Sequence, residues 1–326
     1  MGNGYRKTVQ RVVASLLIGF ATVFSFAHAQ QTPATPASGE SEAASSKNVL
    51  NFIAVGDWGR YGEPAQRAVA TQMARTAEKV DAQFFISTGD NFYPNGVASV
   101  DDPQWQQSYE LVYTDFVLHN DWYVVLGNHD YRGNPQAEVD YTKRSERWHM
   151  PSRYYSVTKK IDATTSAQFF FIDTSPFIAD YRKNLDKYAV DGQDTQAQLR
   201  WLEAELAKSK AKWKFVVGHH HVYSGGKRST QIELEQAIVP LMKKYGVQVY
   251  LCGHEHDLQV IQRPGGKITY LVSGAGAEHR PTGKTDGTLF SLSAFGFMAL
   301  SLKADQLKVQ VVDDTGATRY ETTVQP

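Results

Sequence analysis

From residue 50 to residue 256, short apolar runs alternate with longer amphipathic stretches. The runs at 50–55, 83–88, 122–126, 168–172, 214–217 and 247–252 are compact and largely apolar, which predicts buried strands. The stretch 64–79 opens on Pro64 and puts Val69, Met73 and Ala77 at helical spacing. The stretch 194–210 lines up Leu199, Leu202 and Leu206 on one face, and 233–245 is closed by Gly246 as a helix C-cap. After Ile268 the pattern changes to strand and turn. Residues 297–302, 307–313 and 319–324 read as antiparallel strands, with Asp314-Thr315-Gly316 as a turn. The order of elements predicts an α/β domain.

The ends of the predicted strands change that picture from a fold to a site. Five of them finish in Gly followed at once by a polar residue: Gly56-Asp57, Gly89-Asp90, Gly127-Asn128, Gly218-His219 and Gly253-His254. Glycine lets the backbone turn sharply as it leaves the sheet. Groups at the carboxyl ends of α/β strands converge on one crevice. Six histidines, His129, His219, His220, His221, His254 and His256, fall in three short motifs at these ends. Carboxylates and imidazoles gathered in a poorly solvated crevice call for cations. The mix of carboxylate, imidazole and amide oxygen suits Fe, Mn or Zn.

The amino terminus adds a destination. Arg6, Lys7 and Arg11 precede an uncharged apolar run at 12–26, followed by Ala27-His28-Ala29. This is the pattern of a signal peptide over 1–29. The run is 15 residues, short of the ~20 that span a bilayer. An exported protein, periplasmic or extracellular, without a stable membrane anchor is expected. Residues 30–48 are mostly Gln, Thr, Pro, Ala, Ser and Glu and read as a disordered tether, leaving 49–326 as the catalytic domain. Basic and acidic residues balance at 34 each, so nothing points to nucleic acid, and no obligate protein partner is implied. The one cysteine, Cys252, cannot form an internal disulfide and lies in an apolar run, where it reads as a small buried hydrophobe.

Taken in order, Gly-Asp-Trp-Gly (56–59), Gly-Asp-Asn-Phe-Tyr (89–93), Gly-Asn-His-Asp (127–130), Gly-His-His (218–220) and Gly-His-Glu-His (253–256) resemble the calcineurin-like metallophosphoesterases. Tyr93, three residues after Asp90, marks the purple acid phosphatases among them, and 49–326 is similar to their small tartrate-resistant type. The resemblance implies a four-layer α-β-β-α sandwich of two mixed sheets. It also implies hydrolysis of small phosphate monoesters by a metal-activated hydroxide at a pair of ions, Fe(III) plus Fe(II), Zn or Mn. Asp57, Tyr93 and His256 would hold the trivalent ion, Asn128, His219 and His254 the second, and Asp90 would bridge them. His129 would face the substrate with Asn128 and protonate the leaving group, with Asp130 orienting it.

Two departures from the family pattern matter. Where mammalian members carry a second substrate-facing His, this chain has Arg228, and His221 stands where they have Pro; both are candidate substrate contacts. The segment 175–194, with Tyr181, Arg182, Lys183 and Lys187, either shapes the substrate pocket or is a solvated loop. The alternative activity is a phosphodiesterase or nucleotide pyrophosphatase on the same scaffold. Tyr93 favours the monoesterase, and the intact Asp90, Asn128 and His129 argue against a non-catalytic metal-binding protein.

Overall fold

The computed structural model describes residues 48–326; the expected signal peptide, and the expected tether up to residue 47, lie outside the described residues. The strands are β1 (Leu50–Val55), β2 (Phe84–Ser87), β3 (Asp121–Val124), β4 (Trp148–His149), β5 (Tyr155–Lys160), β6 (Ser166–Phe171) and β7 (Trp213–Val217). They continue with β8 (Val249–Cys252), β9 (Leu258–Gln262), β10 (Thr269–Ser273), β11 (Thr288–Leu292), β12 (Gly296–Leu302), β13 (Leu307–Asp313) and β14 (Thr318–Val324). The helices are α1 (Pro64–Val80), α2 (Pro135–Tyr141), α3 (Ala179–Arg182), α4 (Thr195–Lys208) and α5 (Ile232–Lys244).

Two seven-stranded mixed sheets result, ordered β14-β13-β12-β1-β2-β3-β4 and β11-β9-β10-β8-β7-β6-β5. The inner strands β1, β2 and β8 are buried at every position, as strands covered on both faces must be. The sheets meet through aromatic rings: Phe52 of β1 lies 5.4 Å from Phe169 of β6 and 5.9 Å from Phe215 of β7, both edge-on. Val69, Met73 and Ala77 of α1 pack on the first sheet. Leu202 and Leu206 of α4, with Leu234, Ile238 and Met242 of α5, pack with Val216, Tyr250 and Cys252 of the second. The four layers are therefore helix, sheet, sheet, helix. Asp194 caps α4 by accepting from the Ala197 amide at 2.9 Å, and Gly246 after α5 has φ +64°.

Five strands, β4, β5, β9, β10 and β11, were given no bounds by the apolar pattern. β4 has two residues, β5 and β11 are mostly half-exposed, and β9 follows a ligand motif without a break. Edge strands bury too little to show a clear period. Between β2 and β3 a wide π-type turn, Trp105–Glu110, buries Trp105 and Tyr109. It completes an aromatic wall around Trp58 that includes Phe92, Tyr113, Trp122 and Trp148.

Candidate metal centre and active site

The loops leaving β1, β2, β7 and β8 bring the polar strand ends together, and they do so under backbone strain. Asp57, Asp90 and His254 have φ of 58°, 49° and 70°, a left-handed conformation that non-glycine residues rarely adopt. The preceding glycines have another function from the sharp turn their sequence suggests. Of the five, only Gly89 has positive φ. The others leave room: a Cβ on Gly127 would stand 2.2 Å from Asp90 Oδ1, and one on Gly253 2.5 Å from Asp57 Oδ2.

Around Tyr93 the chain gathers three further donors. Its hydroxyl lies 2.9 Å from Asp57 Oδ1, 2.9 Å from Asp90 Oδ2 and 3.1 Å from His256 Nε2. On the other side of Asp90, His219 Nε2 is 3.4 Å from the same Oδ2 and 3.1 Å from His254 Nδ1. Asp90 thus stands between two clusters. Backbone bonds fix both carboxylates: Asp57 Oδ2 accepts from the His254 amide at 2.9 Å and Asp90 Oδ1 from the His129 amide at 2.7 Å. His219 Nδ1 meets Thr88 O at 2.9 Å, which turns its Nε2 toward Asp90.

The electrostatics of this cluster ask for cations. Burial alone would raise Asp90, but the His219 imidazole and then His129 hold it below the ordinary carboxylate range. Burial would lower His219, and Asp90 instead raises it to about 9. Burial, then the Asp57 and Asp90 carboxylates, keep the Tyr93 phenol well above its usual value, with Arg60 opposing them. Asn128 Oδ1 is buried and has no hydrogen-bond partner, so a polar atom has been desolvated with nothing in the protein to satisfy it. The residues fit a metal pair: hard oxygen donors and imidazoles converge, and one amide oxygen stands free.

A family model described as calcineurin-like phosphoesterase matches residues 50–258. Purple acid phosphatase 17 of Arabidopsis thaliana is 40% identical over 244 residues, which are 73% of this chain and 71% of that one. The chain belongs to the purple acid phosphatases. Human tartrate-resistant acid phosphatase type 5 is 34% identical over 295 residues, 84% of this chain and 90% of its own length. Among solved structures, "GAP50 the anchor in the inner membrane complex of Plasmodium" superposes with a TM-score of 0.76 at 24% identity, covering 85% of this chain and 89% of that one. A yellow lupin purple acid phosphatase does so at 0.62 and 16%, covering 85% and 54%. These two likenesses concern the fold. The chain is an enzyme, a metallophosphoesterase of the acid phosphatase kind.

In the phosphatase, His129 is part-exposed beside Tyr93, with ring centroids 4.2 Å apart. Its Nδ1 meets Pro94 O at 2.6 Å, and its Nε2 lies 4.0 Å from Asp90 Oδ2. Pro94 O, with Arg132 Nη1 3.1 Å from the same Nδ1, therefore orients the ring, and Asp130 does not. The Asp130 carboxylate turns inward and accepts from the amides of Gly127 (2.7 Å), Asn91 (2.9 Å) and Phe92 (3.1 Å), tying two ligand loops together. Burial, with Arg132 adding to it against the pull of Asp90, lowers the His129 pKa.

The two tentative substrate contacts also bond within the protein. His221 is fully buried, with Nε2 3.0 Å from Ser229 O and its ring stacked 5.7 Å from that of His254. Arg228 donates to His254 O at 3.0 Å and to Glu255 Oε1 at 3.3 Å, so it braces the His254 turn. In the segment 175–194, Tyr181 reaches inward: its hydroxyl is 3.1 Å from His220 Nε2, and its ring stacks on Tyr188 at 4.2 Å. His220 groups with His219 and His254, but its Nδ1 is also engaged, by Thr174 Oγ1 at 2.8 Å. Sequence reasoning missed Glu278, which faces His256 Nδ1 at 3.3 Å from a loop with no motif of its own.

Proposed function

We propose that this phosphatase is exported and hydrolyses small phosphate monoesters at an Fe(III) ion paired with Fe(II), Zn or Mn. The observation that carries this reading is the meeting of the Tyr93 hydroxyl with Asp57, Asp90 and His256 within 3.1 Å. A phenolate beside two carboxylates and an imidazole is an anionic, hard donor set suited to a trivalent ion. Asn128, His219 and His254 offer one neutral oxygen and two imidazoles, a set suited to a divalent one. Asp90 is positioned to serve both. Bound there, the ions supply Lewis acidity to the phosphoryl oxygens and acidify a water that becomes the nucleophile.

His129 does the proton work. With Nδ1–H donated to Pro94 O, His129 gives a proton from Nε2 to the departing alcohol only as the imidazolium, and its lowered pKa makes that form one of acid pH. Export rests on the sequence pattern of 1–29, and among the described residues no helix is long and apolar enough to cross a membrane. The test is hydrolysis of p-nitrophenyl phosphate against its bis ester, with metal analysis of the same sample. Two ions per chain, including iron, with preference for the monoester and an optimum below neutrality, are expected. Preference for the bis ester, or an optimum in the alkaline range, would replace this reading with a divalent-metal diesterase.

A further inference from the structure

Arg60 follows the Asp57 motif directly, and Glu278 lies in the loop after β10. The guanidinium carbon of Arg60 stands 4.0 Å above the centroid of the Tyr93 ring. The same guanidinium is ion-paired with Glu278 Oε2. That carboxylate oxygen also faces His256 Nδ1 at 3.3 Å, while Oε1 accepts from Arg280 at 3.0 Å. The Arg280 amide in turn donates to His256 O at 2.7 Å. Arg60 is braced at its own backbone, whose amide donates to Gln66 Oε1 at 3.0 Å.

One carboxylate thus reaches two proposed ligands of one ion, His256 directly and Tyr93 through Arg60. A cation over an aromatic face is attracted to its electron density, and far more to a phenolate than to a phenol. A carboxylate behind an imidazole fixes the Nδ1–H tautomer and aims Nε2 forward. We infer that Arg60 is a positioning residue that holds the Tyr93 ring and sets the energy of its donor orbital toward the ion, and that Glu278 is the clamp that aims both Arg60 and His256. This rests on the reading that Tyr93 binds Fe(III).

The readout is the visible charge-transfer band that a phenolate on Fe(III) gives. A cation close to the phenolate lowers its filled orbital and raises the energy of the transition. In aerobically purified holoenzyme, Arg60→Met should move the band to longer wavelength, and Arg60→Lys, which keeps the charge, should return it most of the way. Glu278→Gln, which frees the guanidinium from the ring, should shift it in the same direction as Arg60→Met. Iron content and circular dichroism of each variant establish that the site and fold persist. An unmoved band in Arg60→Met, an equal shift in Arg60→Lys, or an opposite shift in Glu278→Gln overturns the inference. Iron-loaded wild type without a visible band overturns the Tyr93 reading and this one with it. A coloured wild type with unmoved variants overturns this one alone.

Discussion

Asp90 is held in a left-handed backbone at φ 49°, and its Oδ2 faces Tyr93 on one side and His219 on the other. Strain of this kind persists where the surroundings over-determine it. Asp90→Asn should therefore bring metal content toward zero by elemental analysis, because both clusters lose their shared charge. Two ions retained in that variant would exclude a bridge. Tyr93 predicts a different loss. Tyr93→Phe keeps the buried ring and removes the hydroxyl, so the variant should fold, bind divalent ions and be colourless, whereas wild type holding the proposed Fe(III) should be pink to purple. His129 bonds Asp90 through its backbone amide and packs beside Tyr93, but its ring offers no donor to either cluster, its Nε2 being 4.0 Å from Asp90. His129→Ala should keep its metal while kcat falls by roughly 10²–10⁴, the range for a lost general acid. Substrates with good leaving groups, which need no proton, should suffer least; a uniform loss would leave His129 a binding role only.

At the scale of elements, the parallel strands deliver their ends to one edge, and the loops between them finish the site. Asp130 joins the 89–93 loop to the 127–130 loop through three backbone amides. Gly127 lets those loops touch. Gly127→Ala would drive a Cβ to within 2.2 Å of Asp90 Oδ1, so metal binding should be lost while far-UV circular dichroism stays native. Gly246→Ala makes the control. It too meets strain, with φ +64°, but nothing lies within 4 Å of its added Cβ. That change should cost about 1–2 kcal/mol of stability and leave the metals in place. Equal metal loss in both would mean that the 127 position acts through the fold and not through Asp90.

The whole molecule stores acids in its interior. Glu138 is fully buried near Asp130, and its Oε2 accepts from Asn91 Nδ2 at 2.9 Å. Burial, and then the Asp130 charge, push its pKa well above the usual carboxylate value. Burial, and then Asp90, raise Asp130 to about 7. A carboxyl raised in the folded state binds its proton more tightly there than in the unfolded chain. Its stabilisation is full below the unfolded pKa and is lost as pH rises through the folded one. The metal-free protein should accordingly lose thermal stability on going from mildly acid to alkaline pH. Glu138→Gln, which mimics the neutral acid, should lose less over the same interval. A Tm profile in the variant as steep as in the wild type would remove Glu138 from this account.

The sequence alone carried the motifs, and with them most of the candidate site. Asp57, Asp90, His219 and His254 could be read because each directly follows a strand and a glycine, and local order suffices to mark a strand end. The long, strongly periodic helices α1, α4 and α5 were legible for the same reason. Tertiary structure decided what local order cannot encode. Edge strands such as β4 and β5 gain their partners from distant segments and show no period. The glycines proved to be spacers for side chains of other loops, a distance relation between residues far apart in the chain. His221 is buried against Ser229 O, and the half-exposed Arg228 braces the His254 turn through His254 O and Glu255, contacts between segments that local order does not encode. Arg60 and Glu278, separated by more than two hundred residues, meet only because β1 and β10 lie in different sheets that close on one edge. Their pairing is a property of the packed layers, and no reading along the chain contains it.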